Sequence, residues 1–234
     1  MSTDAYVFEA PKQSSLAVKG SDARFPIRRI FCVGRNYEAH AIEMGKDPTR
    51  EAPFFFTKPA DAALDTPCTI AYPKLTENLH YEIELIIAIG KGGDNIAEDD
   101  VMDHVWGASV GIDLTRRDLQ TEAKNMGRPW DWGKAFDKSA PIAPITPIAD
   151  VPSVETGRIW LAVNGETKQD ADLSDLIWSV REHISILSKS MTLAPGDIIM
   201  TGTPAGVGAI VAGDVVTGGV DGLGELEVTI GPRA

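Results

Sequence analysis

Glu82 and Glu84 stand one residue apart in His80-Tyr81-Glu82-Ile83-Glu84-Leu85-Ile86-Ile87-Ala88-Ile89, a run that reads as a strand. Side chains alternate along a strand, so both carboxylates face one way with Ile86 and Ala88, while Ile83, Leu85, Ile87 and Ile89 cover the other face. Two such charges ~6 Å apart, at an effective dielectric near 20, repel by roughly 3 kcal/mol before desolvation is counted. A cation between them removes the conflict. Oxygen ligands alone suit a hard ion, Mg²⁺ first, with Mn²⁺ or Ca²⁺ as alternatives. An edge strand with a wetted polar face is the simpler and commoner reason for an isolated Glu-x-Glu.

A third acid bears on that choice. Asp113 ends the apolar run Val105-Trp106-Gly107-Ala108-Ser109-Val110-Gly111-Ile112. It is either the N-cap of a following helix or, if its strand pairs with that of Glu82, the third member of a carboxylate set open to water and substrate. His40 and Glu43 lie three apart, so one helical turn puts them on one face. Glu43 would then orient the imidazole while His40 takes a proton from water. Without further context the pair reads first as a surface ion pair on an exposed helix. The polar run Gly45-Lys46-Asp47-Pro48-Thr49-Arg50-Glu51 would let His40 ride on a lid.

These residues need a scaffold that is mostly strand. Ile83 to Ile89, Val105 to Ile112, Ile159 to Val163, Ile198 to Met200 and Leu226 to Ile230 are short, branched and bounded by Gly, Pro or Asp. Asn164-Gly165 signals a type I′ hairpin. Helices are expected over Tyr37 to Met44, Thr115 to Met126 and Leu173 to Ser190. The pattern is β-rich α+β with a few covering helices, not an alternating βαβ fold. A leader over residues 1–25 precedes a single catalytic domain over 26–234.

With 234 residues and 43% apolar content, the chain is large enough to fold without a disulfide or structural metal, so a metal site would be functional. Its 22 Lys and Arg against 34 Asp and Glu give a net charge of −12, which argues against nucleic acid and membrane surfaces as partners. Met1-Ser2-Thr3-Asp4 opens no targeting signal and no apolar stretch is long enough to span a bilayer, which fits a cytoplasmic protein. Cys32 and Cys68 read as small hydrophobes. Gly90-Lys91-Gly92-Gly93 lacks the Gly-Lys-Ser/Thr ending of a phosphate loop.

Taken in order, Phe31-Cys32-Val33-Gly34-Arg35-Asn36-Tyr37 with His40 and Glu43, Glu82-x-Glu84, Asp113 with Arg117 and Gln120, Lys134, and Thr201-Gly202-Thr203-Pro204-Ala205-Gly206-Val207-Gly208 resemble the fumarylacetoacetate hydrolase family. Within it, Arg35-Asn36-Tyr37 and Pro53-Phe54-Phe55-Phe56-Thr57-Lys58-Pro59 are most similar to the acylpyruvate hydrolases. The resemblance runs from about Ile30 to the C-terminus. It implies a rolled mixed sheet with a deep cleft, a homodimer, and a divalent metal held by Glu82, Glu84 and Asp113. The implied reaction cleaves a carbon–carbon bond in a 2,4-diketo acid, with His40 and Glu43 activating water. Lys134, Gln120 and Arg117 would be the donors near the attacked carbonyl, and Thr203 would grip the substrate carboxylate. By itself Lys134 reads as a surface lysine and Thr203 as part of a tight turn. Arg35 and Lys58 would steer acidic substrates, Trp130 and Trp132 would cover the cleft or a subunit contact, and His80 and His183 would be structural or at the surface. The alternatives are an oxaloacetate decarboxylase or unsaturated-diacid isomerase on the same scaffold, or a non-catalytic metal-binding protein.

Overall fold

The computed structural model describes residues 5–39 and 51–233. Every residue of the strand Ile83–Ile89 is buried, which removes the wetted-edge reading of Glu84. The strand lies inside an eight-stranded sheet. Its order is Phe54–Lys58, Arg29–Gly34, Asp197–Met200, Ile83–Ile89, Val105–Ile112, Ala140–Ile142 and Ala63–Asp65, with Thr146–Pro147 also pairing to Val105–Ile112. Two of these pairings are parallel, Arg29–Gly34 with Asp197–Met200 and Ala140–Ile142 with Ala63–Asp65. A five-stranded sheet runs Glu166–Asp172, Arg158–Val163, Val215–Val220, Gly224–Arg233 and Cys68–Tyr72.

The alternation along Ile83–Ile89 divides two cores. Ile83, Leu85, Ile87 and Ile89 pack in one with Ile159, Leu161, Val228 and Ile230 of the five-stranded sheet. Ile86 and Ala88 join the other with Ile30, Cys32, Ile142, Ile198 and Met200. The expected class, β-rich with rolled mixed sheets and few helices, is the one observed. Asn164 and Gly165, at φ 51° and 82°, form the expected hairpin turn between Arg158–Val163 and Glu166–Asp172.

Three local expectations change. The helix expected over Leu173 to Ser190 is a 3₁₀ turn at Leu173–Asp175 and a separate helix at Val180–Ser190. The apolar spacing runs through the break, but two capping boxes, Asp172 with Asp175 and Ser179 with Glu182, start each piece afresh. Between them, the backbone of Trp178 both donates to and accepts from the side chain of Asn36, at 2.8 and 2.9 Å. The helix expected from Thr115 begins at Arg117, because Thr115–Arg116 pairs with Leu79–Tyr81. Tyr37 makes a bridge to Leu176, and residues 40–44 of the helix expected over Tyr37 to Met44 lie outside the described residues. Within the segment read as a leader, Ser15–Val18 and Ser21–Pro26 form a hairpin that buries Leu16, Val18 and Phe25 in the second core. Its apolar residues come in pieces too short to show a period.

His183, on the helix Val180–Ser190, is fully buried, and its Nε2 has no hydrogen-bond partner among the described residues. Burial pulls its imidazole down from 6.5 to about 4. The unfolded chain therefore takes up this proton first as pH falls. The neutral ring's contribution is fully present above 6.5 and is lost as pH drops towards 4, a span worth about 3 kcal/mol. Urea midpoints measured at pH 7.5 and 4.5 should fall steeply in the native protein and less in His183→Gln. Equal falls would show that His183 is not the group responsible.

Candidate metal centre and active site

The site forms where one chain segment passes between two sheets. Leu79–Tyr81 belongs to a small sheet with Thr115–Arg116 and Gly208–Ile210, Ile83–Ile89 belongs to the large one, and Glu82 is the residue between them. Ile83 and Glu84 pair with Ile112 and Gly111 on the neighbouring strand, and the Asp113 N–H donates to the Glu82 carbonyl at 2.8 Å. That pairing brings a carboxylate oxygen of each of Glu82, Glu84 and Asp113 within 4.8 Å of the other two, all three residues buried. Asp113 is no helix cap, since the helix begins at Arg117. Three oxygen donors at this spacing fit a hard divalent cation with positions left for water or substrate.

The protein's own cations meet two of the three acids. Lys134, at the end of the short helix Asp131–Lys134, places Nζ 2.6 Å from Glu82 Oε2 and 2.5 Å from Asp113 Oδ2. Burial acts to lower its pKa, but Asp113 and Glu82 outweigh it and hold the ammonium above its ordinary value. The Arg117 guanidinium donates to Glu82 Oε1 and, at 2.6 Å, to Gln120 Oε1. Lys58 Nζ lies 2.8 Å from Asp113 Oδ1 and donates to the carbonyls of Leu114 and Lys134. Glu84 has no such partner among the described residues. Its hydrogen bond comes from the Gly202 N–H at 2.8 Å, and burial, with Asp113 adding to it, pushes its carboxyl well above the usual range. A buried carboxylate with no side-chain cation paired to it has the chemistry to bind a divalent ion.

One cavity gathers most of the expected residues. Its walls carry Glu82, Glu84, Asp113, Arg117, Gln120, Lys134 and Thr203, together with Arg35 and Trp130. Because Arg117 occupies the Gln120 amide oxygen, Gln120 turns its Nε2 donors to whatever oxygen binds there. Thr203 Oγ1 accepts from Gln169 Nε2 at 2.8 Å, which leaves its own proton to give. A larger hollow of about 740 Å³, walled by Tyr37, Glu38, Asp170, Asp175 and Pro204 among others, contains none of the expected site residues.

Lys58 must be moved from its expected role. It is 2% exposed, and its ammonium is committed to Asp113 and two carbonyls, so it supports the site from behind instead of steering substrate. Trp132 is 70% exposed and stands outside the cavity that Trp130 lines. His80 donates from Nε2 to Asn78 and lies 3.4 Å from Arg117 Nε, with burial, then Arg117, pulling its pKa down to about 4. It is a neutral prop for Arg117. Burial, then Asp113, raises the Cys32 thiol well above its ordinary value, so it offers no thiolate. His40 and Glu43 lie outside the described residues.

Two supporting residues take no role from the sequence, although Asn36 stands in the Arg35-Asn36-Tyr37 motif. Gln169 accepts from the Ile83 N–H and donates to Thr203 and the Pro204 carbonyl, tying the start of the Glu84 strand to the loop after Met200. It sits in the polar strand Glu166–Asp172, where nothing marks one amide from its neighbours. Asn36 donates to the carbonyls of Trp178 and Thr201. Gly202, at φ 101°, passes so close that a Cβ there would lie 2.7 Å from that of Asn36, and only glycine lets its N–H reach Glu84.

A buried three-acid centre at the crossing of two sheets, with cations set around it, defines a class, and the chain belongs to the fumarylacetoacetate hydrolase family. Residues 29–231 match the family's C-terminal domain, described as fumarylacetoacetate (FAA) hydrolase C-terminal. The chain is 47% identical over 186 residues to the fumarylpyruvate hydrolase of a Ralstonia species, covering 80% of this chain and 96% of that protein. It is also 40% identical over 205 residues to the mitochondrial oxaloacetate tautomerase FAHD1 of Arabidopsis thaliana, covering 88% of this chain and 92% of that one. The fold is similar to the crystal structure of fumarylpyruvate hydrolase from Pseudomonas aeruginosa in complex with Mn²⁺ and pyruvate. That match has a TM-score of 0.96 and 52% identity, covering 98% of this chain and all of the other.

Proposed function

We propose that this protein hydrolyses a carbon–carbon bond in a 2,4-diketo acid, with fumarylpyruvate as the substrate and a divalent cation held by Glu82, Glu84 and Asp113. The buried acid triad carries the reading, since it sets three carboxylate oxygens within 4.8 Å of one another and Glu84, one of the three, has no side-chain cation paired to it among the described residues. Similarity to a fumarylpyruvate hydrolase over 80% of the chain supports the choice of substrate. In the reaction the oxygen of water bonds to the distal carbonyl carbon, and the bond from that carbon to the methylene breaks. The electron pair leaves with the methylene, which takes up a proton to become the methyl group of pyruvate, and fumarate is the other product. The cation supplies positive charge against the negative charge that gathers on the departing half.

The chain's residues do the rest. Gln120 Nε2 and the Thr203 hydroxyl donate to substrate oxygens, and Lys134 and Arg117 hold Glu82 in place and add positive field where oxyanion charge develops. His40, oriented by Glu43, takes the proton from water, a role that rests on their spacing and on the family resemblance. His40→Ala and Glu43→Ala should each lower kcat by roughly 100-fold with metal affinity near native. Native rates in both would make the pair a surface ion pair.

The finer reading is Mg²⁺ as the physiological metal, a homodimer in the cytoplasm, and a place in the breakdown of aromatic compounds. The exposed Trp132 supports a subunit contact. No helix among the described residues is long and apolar enough to cross a membrane. Sedimentation velocity with and without Mg²⁺ tests the dimer.

A second reading is suggested by the similarity to oxaloacetate tautomerase, namely proton transfer on oxaloacetate at the same centre. Initial rates and product analysis with fumarylpyruvate, acetylpyruvate and oxaloacetate at saturating Mg²⁺ separate the two. A charge-assisted hydrogen bond to the second carboxylate is worth roughly 1.5 to 3 kcal/mol. The kcat/KM for fumarylpyruvate should therefore exceed that for acetylpyruvate by at least about tenfold. Turnover of oxaloacetate with no pyruvate released from either acylpyruvate would hand the site to the tautomerase reading.

A further inference from the structure

We propose that Arg35 selects the substrate by receiving, on its guanidinium, the far carboxylate of a diketo acid whose acyl group ends in an acid. The inference deepens the hydrolase reading and rests on it for the identity of the substrate.

The other cations at the centre are already spent. Lys58 is on Asp113, Lys134 on Asp113 and Glu82, and Arg117 on Glu82, while Lys124 on the cavity wall has a partner of its own. Arg35 lines the same cavity, is only half-buried, and pairs with no carboxylate among the described residues. A dicarboxylate that used one end at a cation held by the three acids would find in Arg35 a guanidinium that no acid among the described residues neutralises.

The local structure is built to hold that side chain out. Its guanidinium carbon lies 5.3 Å from the Phe54 ring centroid, and Phe54 in turn meets Trp130 edge to face at 5.3 Å. An aromatic face satisfies the flat side of a guanidinium and leaves its in-plane N–H groups free for a carboxylate fork. Phe54 reaches this place because residue 34 is glycine, as a Cβ there would lie 2.1 Å from the ring. Arg35 itself sits at φ 56°, in the left-handed region where glycine or asparagine would fit with less strain. A turn needed only for the fold would not call for arginine there.

The test uses the metal-loaded full chain in native, Arg35→Gln and Arg35→Gly forms, with the ratio of kcat/KM on fumarylpyruvate to that on acetylpyruvate as readout. The ratio should fall about ten- to a hundredfold in both variants, mostly through KM. Arg35→Gly should melt no lower than native, since its backbone suits glycine. A second arm measures equilibrium binding of 2-oxoheptanedioate and 2-oxoheptanoate, which have the length of fumarylpyruvate but no bond to hydrolyse. Arg35→Gln should weaken the diacid about ten- to a hundredfold more than the monoacid. This arm decides the role of Arg35 even if the native protein hydrolyses neither acylpyruvate, a result that would defeat the hydrolase reading alone. An unchanged substrate ratio, or equal weakening of the two oxo acids, would overturn the proposal.

Discussion

Glu84→Gln is expected to cut metal-dependent turnover by at least about a thousandfold while leaving the metal-free protein as stable as native or more so. The rate term follows from losing a charged ligand of an ion that supplies several kcal/mol to the departing charge. The stability term follows from the sign of the Glu84 shift. Burial, then Asp113, raises its carboxyl well above 4.5, so as pH rises past that value the unfolded chain gives up the Glu84 proton before the metal-free fold does, and the fold loses stability. An amide of the same shape removes that cost and can still accept from the Gly202 N–H. Glu82→Ala and Asp113→Ala should also abolish turnover. They should lose stability besides, because each strands buried cations. EDTA should inactivate the native protein, and Mg²⁺ or Mn²⁺ should restore it. Melting curves in EDTA and in excess Mn²⁺ check the pair of effects. A Glu84→Gln protein that turns over within tenfold of native would remove Glu84 from the metal centre.

Lys58→Met should destabilise the metal-free protein by about 3–5 kcal/mol, the cost of stripping one partner from a buried ion pair. Lys58 Nζ and Asp113 are both without solvent contact, and the same ammonium satisfies the carbonyls of Leu114 and Lys134. Methionine fills the space and meets none of the three. The loss should shrink when Mn²⁺ is added, since a cation on the triad supplies part of the missing charge at Asp113. Urea unfolding with and without Mn²⁺ measures both terms. A loss below about 1 kcal/mol in EDTA would show that Lys134 alone balances Asp113.

The contrast between Glu84 and Lys58 shows how far local pattern reaches. Glu82 and Glu84 were legible as a shared face because strand periodicity is a property of adjacent residues. Lys58 was readable only as a cation in an aromatic strand, free to meet substrate. Its burial against Asp113 depends on three strands, Arg29–Gly34, Asp197–Met200 and Ile83–Ile89, lying between its own strand and Val105–Ile112, which Asp113 follows, and on how the sheet brings the two ends together. Gln169 and Asn36 fall in the same category. Each makes hydrogen bonds to residues more than 80 positions away, and an amide gives no sign in sequence of where its partners are.

What the amino-acid sequence by itself determined is the list of parts and their local directions: which acids share a face, where Asn164-Gly165 turns the chain, and that strands outnumber helices. Those follow from backbone periodicity and turn chemistry, which act over a few residues. Tertiary structure alone decided which parts are paired. It joined Asp113 to Glu82 through a strand ladder, broke an apolar helix pattern at Trp178 to satisfy Asn36, and buried three cations around the acids. Among the described residues it left Arg35 on the wall without an acid. Charge balance in a buried site is summed over segments distant in sequence, and the low dielectric that makes each pairing count exists only after the chain has folded.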